Sequence, residues 1–267
     1  MTGFSVGRPR LPRPLFPPPT MNALRLASLL LLAAASASAE VREKITQTFP
    51  LNADGVVSLS NVNGDVEITG WDRPEVSIEA EKIASTEEGL RRMHVRFDTS
   101  PARLSIETKL EKQWKFWDSA RAEVRYKLRV PAGASLKKVD VVNSTVRVRG
   151  VRGYVDLDSV NGTLDAEGLA SGGRFDTVNG AIRVSFVQVA SGDRIVLDTV
   201  NGSCTAILPA NAEFTLVADS VNGSISCDFP VTVSKSGRTH LAGTVGGGGA
   251  SVTLDSVNGS LAVRKAK

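Results

Sequence analysis

From Glu40 onward, apolar and polar residues alternate with a period of two over short stretches separated by turn-forming residues. "VVSLS" at Val56, "DVEITG" at Asp65, "EVSIEAE" at Glu75, "HVRFDT" at His94 and "RLSIET" at Arg103 each read as a half-buried strand. The longest is "ARAEVRYKLRVP", in which Ala122, Val124, Tyr126, Leu128 and Val130 share one face. The one helical signal is "STEEGLRRM", with Ser85 or Thr86 as cap and Glu87 and Glu88 in the first turn. It predicts one or two turns of helix.

From about Ala132 the alternation is organised by a repeat: apolar–x–apolar–Asp–[Ser/Thr]–Val–Asn–Gly–x–apolar–x–apolar. Its corners are Asn161-Gly162, Asn179-Gly180, Asn201-Gly202, Asn222-Gly223 and Asn258-Gly259, with degenerate copies at Asn63-Gly64 and Asn143. From Asn143 the steps are 18, 18, 22, 21 and 36 residues, and "GTVGG" at Gly243 reads as an eroded copy inside the last one. A period near 20 marks stacked repeats. Asn and Gly both tolerate positive φ, so Val-Asn-Gly reads as a turn between two strands. Four residues before each Asn, and three and five after it, stand apolar residues such as Leu157, Leu164 and Ala166. Two all-β architectures fit. In a parallel β-solenoid, β-helix-like, equivalent strands stack about 4.8 Å apart. In the other, each Asn-Gly closes an antiparallel hairpin, with Leu157 facing Ala166. The coil is preferred, because stacking like on like explains corners that hardly vary.

The first 39 residues read differently. Residues 1–20 are proline-rich and fit a start codon placed too early. Residues 21–39 have the form of a signal peptide: Arg25, an apolar run from Leu26 to Ala35, then Ala37-Ser38-Ala39 with cleavage before Glu40. The expected organisation is therefore a leader (1–39), a strand-rich part (40–131) and the repeat region (132–267). Arg8, Arg10, Arg13 and Arg25 all lie in the acid-free leader. Removing these four from the 32 Lys and Arg leaves as many bases as the 28 acids. The net charge of +4 thus belongs to the leader and is no argument for a nucleic-acid partner. No apolar stretch after Glu40 is long enough to span a bilayer, so the mature chain is expected to lack a transmembrane segment.

Candidate chemistry is sparse. Asp158, Asp176, Asp198, Asp219 and Asp255 recur with the repeat, and stacked they would form a row of carboxylates able to take calcium. Against that, each copy has one acid where calcium loops carry several, so turn or solvent roles are favoured. The Asn residues would either form an amide ladder or occupy left-handed turn positions. His94 and His240 stand in unrelated contexts, and no catalytic triad, His/Cys metal motif or phosphate loop is present. The expectation is no enzyme and no cofactor. Cys204 and Cys227 fall on consecutive units at different offsets and read as two buried thiols rather than a bridge. Trp114, Lys115, Phe116 and Trp117 form the most binding-like stretch, suited to a glycan, a membrane interface or a protein if exposed, and otherwise a plug for one end of the core.

The leader, the strand-rich front and the recurring [Ser/Thr]-Val-Asn-Gly corners together resemble the bacterial putative adhesin family, a domain of unknown function in cell-envelope proteins. The resemblance runs from about Ile45 to Val263. It implies a β-solenoid outside the cytoplasm, with the periplasm favoured because only "RKAK" follows Val263. It also implies an adhesin-like binding or scaffold role towards an envelope protein or glycan. The alternatives are a regulatory partner in envelope-stress signalling and, more distantly, a carbohydrate-active enzyme.

Overall fold

The computed structural model describes Thr2, residues 40–111 and residues 122–267. The leader and the aromatic stretch Trp114–Trp117 therefore lie outside the described residues. Glu40–Lys267 form one compact unit.

The front of that unit holds β1 (Val41–Pro50), β2 (Val56–Asn63), β3 (Val66–Trp71) and β4 (Glu75–Ala84). One short helix, α1 (Glu87–Arg91), leads to β5 (Met93–Ser100), β6 (Arg103–Leu110) and β7 (Glu123–Pro131). Of the two expected caps, Ser85 and Thr86, it is Thr86 that caps α1, accepting from the Gly89 amide. Strands then come in pairs: β8 (Ser135–Asn143) with β9 (Val146–Arg149), and β10 (Val155–Asn161) with β11 (Leu164–Leu169). Next are β12 (Gly173–Asn179) with β13 (Ile182–Phe186), and β14 (Arg194–Asn201) with β15 (Cys204–Leu208). The chain ends with β16 (Phe214–Asn222) and β17 (Ile225–Cys227), β18 (Thr232–Ser236) and β19 (His240–Val245), then β20 (Ala250–Asn258) and β21 (Leu261–Lys265).

These strands form two sheets, of ten and eleven strands, that are mostly parallel. Apart from the β18/β19 hairpin, each of these strand pairs is a rung that gives one strand to each sheet and turns between them at its corner, Asn143-Ser144 in β8/β9 and Asn-Gly in the others. Equivalent strands pair like on like: Leu157 with Phe175, Asp158 with Asp176, Asn161 with Asn179. No hairpin closes at these corners. The apolar residues at the fixed offsets fill a single core, where Leu157, Leu164, Ala166, Phe175, Val184, Leu197 and Leu254 are all inaccessible to solvent.

The order of rungs departs from the order of the sequence at both ends. Rung β6/β7 lies outside rung β2/β3, and rung β16/β17 lies outside rung β20/β21. The segment "GTVGG" is no eroded copy. It ends β19, which pairs antiparallel with β16 and forms a hairpin with β18 at the edge of the larger sheet. The two thiols expected on neighbouring units are also separated, because β21 runs between β15 and β17, and only Cys204 is buried, Cys227 being half-buried at the end of the stack. Cys204 and Cys227 thus lie roughly 10 Å apart or more, and both are free.

The corner itself works differently from a positive-φ turn. Among these glycines only Gly64 has positive φ, at 108°. What the others supply is the absence of a side chain. A Cβ on Gly162, Gly180, Gly202, Gly223 or Gly259 would lie 1.7–1.9 Å from a backbone carbonyl oxygen of the adjacent rung. The Ser/Thr hydroxyls then use the carbonyls thus brought close: Thr177 donates to Gly162 O, Thr199 to Gly180 O, Ser256 to Gly202 O and Ser220 to Gly259 O, at 3.1–3.3 Å. Gly202→Ala is therefore expected to cost more than about 4 kcal/mol, the range of severe backbone overpacking. Gly237→Ala, where a Cβ meets nothing within 4 Å, should stay within about 0.5 kcal/mol. Urea unfolding of both variants measures the contrast.

Candidate functional site

Five letters recur at each corner, and the stack accounts for three of them. Glycine allows the close approach, and the hydroxyl ties four of the five corners to a neighbour, Ser159 having no hydrogen-bond partner among the described residues. Asparagine forms a continuous amide ladder. In the order of the stack, each Nδ2 donates to the Oδ1 of the rung before: Asn222 to Asn258, Asn258 to Asn201, Asn201 to Asn179, Asn179 to Asn161, Asn161 to Asn143 and Asn143 to Asn63. These distances are 2.8–3.0 Å, and Asn63 closes the chain by donating to Ala122 O at 3.1 Å. Such chains polarise one another and strengthen cooperatively.

The remaining two letters, Asp and Val, face solvent. Register places Asp140, Asp158, Asp176, Asp198, Asp255 and Asp219 side by side on the outer face of the larger sheet. Beside them runs a row of valines at equivalent corners: Val160, Val178, Val200, Val257 and Val221, 39–65% exposed. With about 4.8 Å per rung, five rungs make an amphiphilic strip roughly 19 Å long. Sequence reasoning assigned these valines to turns. Parity along the strand was the signal for their outward aim, since Leu157 and Ser159 both point in.

The carboxylates are unequally compensated. Arg174 grips Asp176 through Nε at 2.6 Å and Nη2 at 3.1 Å. Lys138 approaches Asp140 at 3.8 Å, and His240 Nδ1 meets Asp219. Among the described residues Asp158, Asp198 and Asp255 have no ion pair or side-chain hydrogen bond. Burial pushes all three above the ordinary carboxylate range, and neighbouring carboxylates add to it. Among the described residues no group of three or more His, Cys, Asp or Glu is arranged to hold a metal ion; the recurring acids form a line rather than a cage. Burial also drives the Cys204 thiol up to about 12, which leaves it inert at neutral pH.

One end of the strip opens into a groove. Lys138 has φ 68°, the single non-glycine positive φ among the described residues, and pairing shifts register beside it on both flanking strands. This bulge bends β8. It separates a 610 Å³ hollow, lined by Ser58, Ser105, Arg103 and Lys137, from a 520 Å³ hollow lined by Asp156, Asp158, Val160 and Arg174. Ser60, Lys138 and Asp140 border both. The sequence carried a sign of it, because two polar residues rather than one separate Leu136 from Val139. The Trp114, Lys115, Phe116 and Trp117 stretch falls outside the described residues.

No family model matches the chain, and no curated protein matches it. Among solved structures it is similar to a "putative cell adhesion protein" of Clostridium sporogenes, at 10% identity and a TM-score of 0.44, covering 85% of this chain and 100% of that one. It is also similar to a "putative adhesin" of Bacteroides fragilis, at 11% identity and a TM-score of 0.35, covering 83% of this chain and 97% of that one. A "putative lipid binding protein" of Parabacteroides distasonis follows at 11% identity and a TM-score of 0.34, covering 84% and 97%. These scores are too low to carry a function across.

The row of acids has a measurable consequence for stability. A carboxyl whose folded pKa is raised is held more tightly in its protonated form by the folded chain. Its contribution is full below the unfolded pKa and is lost as pH rises through the folded one. Asp198→Asn is therefore expected to raise the Tm at neutral pH by roughly 1–4 °C, the worth of one relieved like-charge neighbour pair. Below the ordinary value of 3.8 the gain should vanish. Thermal melts of the wild type and the variant across that range check both statements.

Proposed function

We propose that this chain is an exported, non-enzymatic β-solenoid that serves as an adhesin-like binding or scaffold module of the bacterial cell envelope, residing in the periplasm. The observation that carries this reading is the division of labour at the corner. Glycine, hydroxyl and asparagine are consumed by stacking, while the two repeated residues that stacking does not use, Asp and Val, are presented outward in register. A strip of this kind suits a long, repetitive or extended partner such as a glycan strand or an envelope protein, because every rung offers the same pair of groups. A catalytic site calls for the opposite, one group set apart from its copies by its surroundings. The signal-peptide pattern before Glu40 and the resemblance of the [Ser/Thr]-Val-Asn-Gly corners to the putative adhesin family support the same reading.

Cell fractionation with intact-mass analysis should find the product outside the cytoplasm and beginning at Glu40. Immobilised mature chain should retain either an envelope glycan or a single stoichiometric envelope protein, the second outcome pointing to a regulatory partner. The double variant V178K/V200K replaces exposed valines only. It should lower that retention about tenfold or more, as expected for the centre of a binding face, with an unchanged melting profile. A cytoplasmic product with its leader intact, or retention indifferent to the double variant, would overturn the proposal.

A further inference from the structure

We propose that Asn222 is a self-modifying site, converting to aspartate and isoaspartate through an internal imide while the other Val-Asn-Gly asparagines of the same chain are held inert. The chemistry is intramolecular. The backbone nitrogen of the following glycine loses its proton and attacks the asparagine Cγ. The new N–Cγ bond forms, the Cγ–Nδ2 bond breaks and ammonia leaves. Water then opens one or other carbonyl of the five-membered ring, giving aspartate or its β-linked isomer. A glycine after the asparagine favours closure because no side chain obstructs the nitrogen.

Asn63, Asn161, Asn179, Asn201, Asn222 and Asn258 all sit between Val and Gly, so local sequence gives all six the same kind of reactivity. The fold then separates them. The attacking nitrogen is engaged at every interior corner: Gly64 donates to Asn143 O, Gly162 to Asn179 O, Gly180 to Asn201 O, Gly202 to Asn258 O and Gly259 to Asn222 O, at 3.0–3.3 Å. The amide under attack is engaged as well, since each interior side chain accepts at Oδ1 and donates at Nδ2 along the ladder.

Asn222 lies where both series of bonds run out. No rung follows β16/β17, and the pairing of β19 with β16 stops at Asp219. Among the described residues the Gly223 amide and Asn222 Oδ1 have no hydrogen-bond partner. Gly223 is exposed, whereas Gly162, Gly180, Gly202 and Gly259 are half-buried. The nucleophile is therefore free only at this corner, and the carbon it attacks is anchored by a single bond, Nδ2 to Asn258 Oδ1 at 3.0 Å. Conversion removes that donor and sets a carboxylate against the Asn258 Oδ1 it used to serve. It also adds a negative charge at the end of the strip beside Asp219. The outermost rung thus loosens with age while the rest of the stack stays intact.

The test is to age the purified mature chain at mildly alkaline pH and follow each corner by peptide mapping with isoaspartate-resolving mass spectrometry, in heavy-oxygen water. Asn222 should convert roughly tenfold or more faster than Asn258, the ratio expected when one reactive group lacks the hydrogen bonds that the other must break. In denaturant the six corners should react at similar rates, because each asparagine stands between Val and Gly. In Asn222→Gln the fast step should disappear without acceleration elsewhere. Equal rates at Asn222 and Asn258 in the folded chain, or an interior corner reacting first, would overturn the proposal. So would a rate order that survives denaturation, which would trace the difference to sequence rather than to the fold.

Discussion

Everything in this molecule follows from how closely one corner must approach the next. Parallel rungs at about 4.8 Å leave no room for a Cβ at the five repeated Asn-Gly corners from Gly162 to Gly259, where it would sit 1.7–1.9 Å from the neighbouring carbonyl oxygen. Once glycine has admitted that approach, the other requirements are imposed by contact between identical positions. A side chain whose neighbour is itself must be self-complementary. Asparagine meets this condition because its amide carries a donor and an acceptor, and the ladder uses both. Serine and threonine meet it by reaching past their own copy to the glycine carbonyl. Aspartate does not meet it, and burial beside its copies raises the proton affinity of Asp158, Asp198 and Asp255.

Much of this was written in the alternation. Leu157 and Ser159 inward, Asp158 and Val160 outward, is a parity statement that needs no coordinates, and the apolar offsets around each Asn located the core correctly. The start of α1 was legible to within one residue, because capping depends on a few adjacent residues, and the structure selects Thr86 over Ser85. Two features could not be read. The positive-φ reading of Asn-Gly failed because propensity describes an isolated turn, whereas these corners are shaped by the rung alongside. The order of the rungs was hidden for a deeper reason. Corners that are nearly identical pair equally well with one another, so no register preference in the sequence distinguishes β14 beside β20 from β14 beside β16. The choice rests on the connections, and the segment between Asn222 and Asn258 is long enough to carry a hairpin and return underneath.

That out-of-order arrangement deals with a problem every open stack has, namely that its ends present unpaired strand edges. At the front, the first rung β2/β3 is covered by the later β6/β7, and antiparallel β4 and β5 lie beyond that. At the back, the last rung β20/β21 is covered by the earlier β16/β17, with antiparallel β19 and β18 beyond β16. In both places the rung nearest a chain terminus is sandwiched and cannot fray without displacing its neighbour. Reversing strand direction breaks the like-on-like pattern, so an incoming copy finds no matching corner on the larger sheet. The exception is β17, a strand of three residues paired with β21 alone. Shortness limits its hazard as an edge, and it leaves Ile225 and Cys227 half-buried where every other rung buries the equivalent pair. The back end of the smaller sheet is thus less consolidated than the interior rungs, for the same reason that the interior is strong: each corner is completed by the one beside it, and the last has none.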